Sequence, residues 1–246
     1  MISYDFIKKL AIKNQTTEIN ILREYLQHLF LSYFYKKEDS EKILFKGGTA
    51  LKFIYSSPRF SEDLDFSAQK LSFKKIEEIL LGTLTDIEKE NVKVQINEAK
   101  TTSGGYLAIY WGRVFNQDIK IQLEISFRKK TIKKEATLIT QEFLPSYSLL
   151  HLSERELVAE KIKALLERTK ARDWYDFYFI LRKGLEIDFE ILGLKRKILK
   201  ETLFAKIREI ELRRLQGELK PLLPISHHHI LKNLKESLSG EIERRI

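Results

Sequence analysis

The sequence predicts an α/β (α+β) protein: a β-sheet core flanked by helices, then a helical C-terminal region. Three observations carry this. Residues 43–67 read as strand, helix, strand around Gly47-Gly48 and Asp63-Leu64-Asp65. Residues 92–127 read as three further strands, the last with strict apolar/polar alternation. From residue 153 onward the apolar residues recur at helical spacing in a polar background. A chain of 246 residues makes one large domain or two small ones. The predicted division is residues 1–150, sheet plus N-terminal helices, and residues 151–246, a helical domain.

Taken in order, residues 3–13 and 17–37 are predicted helices. Thr17 is placed to cap the second, and Ile19, Leu22, Leu26, Leu29 and Phe30 recur on one face. A strand over 42–46 and a helix over 48–56 follow, with Pro58 expected to end that helix and set the turn into a strand at 62–67. Phe73, Ile76, Ile79, Leu80, Leu84 and Ile87 predict an amphipathic helix over 73–90. Strands are expected at 92–99, 106–114 and 118–127, with Gly104-Gly105 and Asn116-Gln117 at the hairpin junctions. Ser153-Glu154-Arg155-Glu156 reads as a capping box opening a helix over 153–170. An aromatic helix follows over 172–183. Residues 188–246 read as helices broken at Pro221 and Pro224.

The chemistry concentrates in residues 43–67. In a strand, side chains at i and i+2 share a face. Asp63 and Asp65 therefore point one way, roughly 7 Å apart, with Leu64 and Phe66 buried on the other. Two carboxylates so placed suit a hard divalent cation, which prefers oxygen ligands. Gly47-Gly48 ahead of a helix start offers free backbone N–H groups to an anion, and glycine allows close approach. Gly-Gly alone is also a common turn marker; the combination with Arg59, Ser61 and the aspartate pair is what points to a phosphate-and-metal site. In the strand 118–127, Ile119, Ile121, Leu123, Ile125 and Phe127 form the apolar face. Glu124 lies on the polar face, where a neighbouring strand would bring it beside Asp63 and Asp65.

Composition narrows the function classes. There is no cysteine, which excludes a disulfide framework and thiolate metal sites. The chain opens without a signal-peptide pattern and carries Asp5 early, and its longest apolar stretch, Leu29–Tyr35, is too short to span a bilayer. A cytoplasmic setting and no membrane are expected. The net charge of +9 favours a polyanionic partner, nucleic acid first. A solvated, lysine-rich surface is the plainer alternative. Arg128-Lys129-Lys130 with Lys133-Lys134, and the basic segment 195–220, are candidate RNA-backbone contacts. His227-His228-His229 is a weak metal candidate, because adjacent histidines on a helix cannot all face one ion.

Gly-Gly opening a helix, then Asp-x-Asp on the next strand, resembles the signature of the nucleotidyltransferase superfamily. More narrowly, Gly47-Gly48-Thr49-Ala50-Leu51 with Arg59-Phe60-Ser61-Glu62-Asp63-Leu64-Asp65-Phe66 resembles the AbiEii/AbiGii family. Those are nucleotidyltransferase toxins of toxin–antitoxin and abortive-infection systems. Lys161-Ile-Lys-Ala-Leu-Leu-Glu-Arg168, followed by Arg172-Asp173 and Asp176-Phe177, resembles that family's last two motifs. The resemblance covers about residues 40–183.

The resemblance implies a nucleotidyltransferase-like mixed sheet and transfer of a nucleoside monophosphate from an NTP to an acceptor hydroxyl. The acceptor would be RNA, specifically tRNA, the cofactor Mg²⁺ or Mn²⁺, and a separately encoded antitoxin the partner. By the same resemblance Asp63, Asp65 and Glu124 hold metal. Gly47, Gly48, Thr49, Arg59, Ser61 and Lys161 hold phosphate, and Asp176 acts in catalysis or supports Lys161. Glu124 or Asp176 is the expected base. A protein-modifying nucleotidyltransferase and a non-catalytic NTP-binding module are the alternatives.

Overall fold

The structure, a computed structural model, describes residues 2–69, 71–127 and 133–246. The chain divides into two compact units. A sheet unit holds the residues up to Ser56 and then Phe60–Leu152; a helical unit holds Ser57–Arg59 and Ser153–Ile246.

The sheet unit runs α1 (Tyr4–Lys13), α2 (Glu18–Phe34), β1 (Ile43–Lys46), α3 (Gly47–Tyr55), β2 (Asp63–Ala68) and α4 (Phe73–Glu88). It continues with β3 (Lys93–Thr102), β4 (Gly105–Val114), β5 (Gln117–Phe127), β6 (Lys134–Ile139) and β7 (Tyr147–Leu152). The seven described strands form one mixed sheet in the order β3-β4-β5-β2-β1-β7-β6. The pairs β2–β5 and β1–β7 are parallel and the others antiparallel. The β4–β5 turn places Phe115 and Asn116 at φ 48° and 63°, the left-handed pair that a two-residue hairpin following the strand twist requires.

The sheet's apolar face packs on α2 and α4. Phe66 of β2 meets Phe34 and Phe45 at ring distances of 5.2 and 5.3 Å, and Phe30 stacks on Tyr110 at 5.7 Å. Leu64, Phe66, Ile121, Leu123 and Ile125 are buried. The side chains of Asp63, Asp65 and Glu124 alternate onto the opposite face.

Local chemistry fixes several boundaries. Thr17 and Ser72 accept backbone N–H bonds as N-caps of α2 and α4. α3 ends on Ser56 in the left-handed conformation, φ 64°, so that residue rather than Pro58 terminates it. Ile19 and Phe73, expected inward, are each 39% exposed. The ring of Phe73 nevertheless leans edge-on against Phe127. β6 and β7 have no counterpart in the sequence reading. Arg128-Lys129-Lys130 lies outside the described residues.

The helical unit comprises α5 (Glu154–Arg168), α6 (Ala171–Lys183), α7 (Phe189–Leu192), α8 (Arg196–Arg208), α9 (Leu212–Leu219), α10 (His228–Lys232) and α11 (Leu234–Arg245). α6 packs on α5, α9 and α11, and α8 on α11. Pro221 and Pro224 fall at short 3-10 turns between α9 and α10. The capping box expected at Ser153 does not form: Ser153 Oγ is buried without a hydrogen-bond partner among the described residues. At the next helix Asp173 accepts the Lys170 N–H at 3.3 Å, anchoring the start of α6. No described helix is long and apolar enough to cross a membrane.

Candidate active site

In the sheet unit three neighbouring strands set a polar row. Lys46 of β1 pairs with Asp65 of β2, and Asp65 pairs with Glu124 of β5. Residues directly opposite in a sheet project to the same face, so one ammonium and two carboxylates share that face, with Asp63 two residues along. Asp63 and Asp65 are half-buried and Glu124 is exposed. Lys46 Nζ donates to Ser126 Oγ at 2.9 Å, and Ser126 Oγ donates to the Phe66 carbonyl at 3.1 Å. Lys46 and Ser126 were not singled out by sequence; the cue was the lysine closing the strand that faces the aspartates.

Gly47 follows Lys46 at φ +85°. A Cβ built there would lie 2.1 Å from Asp65 Oδ2. The first turn of α3 and the Asp65 carboxylate therefore approach each other as only glycine allows. Thr49 is fully buried, and its hydroxyl donates to the Asp63 carbonyl at 2.5 Å. Gln27 Nε2 donates to the Ser61 carbonyl at 2.9 Å. Both contacts fix the backbone that enters β2.

In the helical unit a buried ion cluster joins three elements. Arg59 Nε and Nη2 donate to the two carboxylate oxygens of Asp176 at 2.7 and 2.9 Å. Lys161 Nζ of α5 donates to Asp176 Oδ2 at 2.7 Å. Burial works to raise the Asp176 pKa, but Arg59 and Lys161 outweigh it and hold the carboxyl at about 2. Beside it, Arg168 forms a two-bond pair with Asp173 at 2.9 and 2.8 Å.

The sequence profile of the family described as "Nucleotidyl transferase AbiEii toxin, Type IV TA system" matches residues 29–242. The chain belongs to the AbiEii toxin family. The AbiEii match extends beyond the four motifs into α11 and leaves α1 outside. The fold is shared with JHP933 from Helicobacter pylori, at 21% identity and TM-score 0.59, covering 93% of this chain and 92% of that one. It is shared too with an H. pylori protein described as a candidate nucleotidyltransferase, at 20% identity and TM-score 0.59, covering 93% and 95%. At these identities the likeness is one of fold. A search of curated proteins returns no match.

Against the AbiEii expectations, three side chains have other employment. Arg59 is 2% exposed and clasps Asp176, so its guanidinium is not presented to a phosphate. Asp176 is 1% exposed and held ionised between two cations, which makes it a poor proton acceptor. The Thr49 hydroxyl is spent on the Asp63 backbone, leaving first-turn N–H groups of α3 as what Gly47, Gly48 and Thr49 offer an anion.

Among the described residues no three His, Cys, Asp or Glu side chains converge in metal-ligating geometry. Glu124 accepts from Gln122 Nε2 at 2.7 Å instead of closing on the aspartates. The donor set that fits a hard cation is thus the Asp63–Asp65 pair: oxygen donors on one strand face, the arrangement Mg²⁺ uses when substrate oxygens and waters complete its shell. In the histidine run, His228 Nε2 lies 3.1 Å from the Lys220 carbonyl and His229 Nδ1 2.6 Å from that of Ser226. One nitrogen of each imidazole thus meets local backbone.

Proposed function

We propose that this AbiEii-family protein transfers a nucleoside monophosphate from an NTP to an RNA hydroxyl, with tRNA the acceptor class, and is the toxin partner of a separate antitoxin. The observation that carries the proposal is the cross-strand row Lys46–Asp65–Glu124, with Asp63 beside it and Gly47 against Asp65. In this reading Asp63 and Asp65 hold Mg²⁺ or Mn²⁺. When bound, that cation supplies charge neutralisation on the triphosphate and lowers the pKa of the attacking hydroxyl.

The protein's own groups do the rest. The N–H groups at the start of α3 orient phosphate oxygens, favoured by the positive end of the helix. Lys161 places a compact ammonium on the pyrophosphate that leaves. Glu124, exposed and opposite Asp65, takes the acceptor's proton, a role Asp176 is too enclosed to fill. Ser61 shapes the approach to β2 through its backbone. The net charge of +9, with Lys133 and Lys134 exposed where β6 begins, supports a polyanionic acceptor.

The test is a transfer assay with each of the four labelled NTPs against purified cellular RNA and against total protein. Label in tRNA from one or more NTPs, dependent on divalent cation, is the expected result. Label confined to protein replaces the acceptor, and NTP binding without transfer to either overturns the catalytic reading.

A further inference from the structure

We propose that Arg59 is a positioning residue for Lys161, acting through Asp176, and that it leaves the Lys161 ammonium with a surplus positive charge for nucleotide phosphate. The inference rests on the phosphate role proposed for Lys161. Arg59, Lys161 and Asp176 carry two positive charges and one negative, 2 − 1 = +1. Their side chains are 3%, 11% and 1% exposed, so Lys161 is the most open member of a nearly closed cluster.

Without Arg59, Lys161 and Asp176 would be a closed pair, each cancelling the other. With Arg59 present, Asp176 Oδ1 is taken by Nε, and Oδ2 is shared between Nη2 and Lys161 Nζ. The carboxylate's charge is divided between two cations, and the remainder is expressed where the cluster opens, at Nζ. The neighbouring carboxylate of Asp173, whose charge also reaches Arg59, is itself balanced by Arg168 in a two-bond pair. The fork geometry also matters: two parallel N–H···O bonds lock the carboxylate plane, and that plane fixes where Oδ2 can hold Nζ.

A stability role alone explains this cluster poorly. Burying charges costs desolvation, and well-packed apolar side chains commonly do as well or better. Arg59 also lies four residues before Asp63 in the chain. A segment that leaves the sheet unit for only Ser57–Arg59 and then returns to β2 spends its one buried cation on this carboxylate.

The experiment measures binding of ATP, CTP, GTP and UTP, and of the corresponding monophosphates, to the full chain in Mg²⁺ buffer. The variants are wild type, Arg59→Gln, Lys161→Gln and Arg59→Gln/Asp176→Asn, each with its thermal midpoint. The expected result is that Arg59→Gln lowers the triphosphate-to-monophosphate affinity ratio roughly 10–100-fold, as loss of a charge-assisted contact does, approaching Lys161→Gln. The double variant removes one cation and one anion, restores the net +1, and recovers the ratio to within about tenfold of wild type. This recovery is one that a purely structural role would not produce. A folded Arg59→Gln with the wild-type ratio overturns the proposal. If Arg59→Gln does not fold, the double variant decides: a ratio as low as that of Lys161→Gln overturns it. If Lys161→Gln itself keeps the wild-type ratio, the phosphate role of Lys161 fails, and the role of Arg59 with it.

Discussion

Asp65 Oδ2 occupies the place where a side chain at Gly47 would begin, with only 2.1 Å between it and a Cβ built there. Gly47→Ala must displace that carboxylate and also hold φ near +85° against its preference. Stability should fall by about 1 kcal/mol or more, and divalent-cation affinity roughly 10–100-fold, as when a ligand's support is disturbed. Gly217→Ala is the control: nothing lies within 4 Å of a Cβ there. Inside α9 this substitution should raise stability by about 0.5–1 kcal/mol. Thermal unfolding and Mg²⁺ titration of both variants check the pair.

Asp63→Ala and Asp65→Ala should each abolish transfer while the protein stays folded, since their strand face needs no carboxylate for packing. In cells, expression of the intact chain should slow growth and Asp65→Ala should relieve it. Unchanged transfer in either variant at saturating Mg²⁺ would remove the aspartate pair from the site.

Lys161→Ala should cost NTP turnover far more than fold. A contact to developing phosphate charge contributes on the order of 3–4 kcal/mol, a hundredfold or more in kcat/KM. The structure adds a stability cost of about 1–3 kcal/mol, because Lys161 is a partner of buried Asp176. That cost should sit at the lower end, since Arg59 still bonds both carboxylate oxygens. Lys161→Arg should rescue poorly, its planar guanidinium being a poor copy of a compact ammonium. Parallel measurement of kcat/KM and the thermal midpoint separates the two costs; near-normal turnover in both variants would sink the assignment.

His28 should make the sheet unit acid-sensitive. Its ring is buried, stacked on Phe53 at 3.8 Å, with Nδ1 2.8 Å from Tyr147 Oη. Burial, assisted by Lys52, pushes its pKa from 6.5 down to about 3. The folded imidazole therefore refuses a proton that the unfolded one takes below pH 6.5. The stability it contributes is fully present above pH 6.5 and is lost as pH falls from there toward 3, by up to about 1.4 kcal/mol per pH unit. Denaturant unfolding at several pH values should show a shallower slope for His28→Asn; an unchanged slope would count against it.

Much of the sheet was legible because alternation is a local property. Ile119 to Ile125 against Lys120 to Glu124, and Leu64 and Phe66 against Asp63 and Asp65, can be read two residues at a time. The register that sets Asp65 opposite Lys46 on one side and Glu124 on the other is tertiary, and no short window contains it. β6 escaped for a different reason: as an edge strand its residues through Leu138 are exposed or half-buried, so burial imposes no period on it. The contact of Lys161 with Asp176, 15 residues on, was anticipated only through the family resemblance, and Arg59 read as a phosphate ligand because its partner, the same Asp176, lies 117 residues away.

That last separation bears on the order in which the protein is made. Arg59 leaves the ribosome long before Asp176 exists, and the segment Ser57–Arg59 belongs to a unit whose remaining residues begin at Ser153. A nascent chain that has completed all seven described strands has not yet made Asp176, the carboxylate that Arg59 clasps. Translation halted or cleaved near residue 152 would thus leave the connection into β2 held by Gln27 and Thr49 but without the Arg59–Asp176 clasp. The C-terminal helices cannot be supplied as an independent fragment without lacking that arginine. In this member of a toxin family, such threading makes the Arg59–Asp176 pair wait on the synthesis of α6.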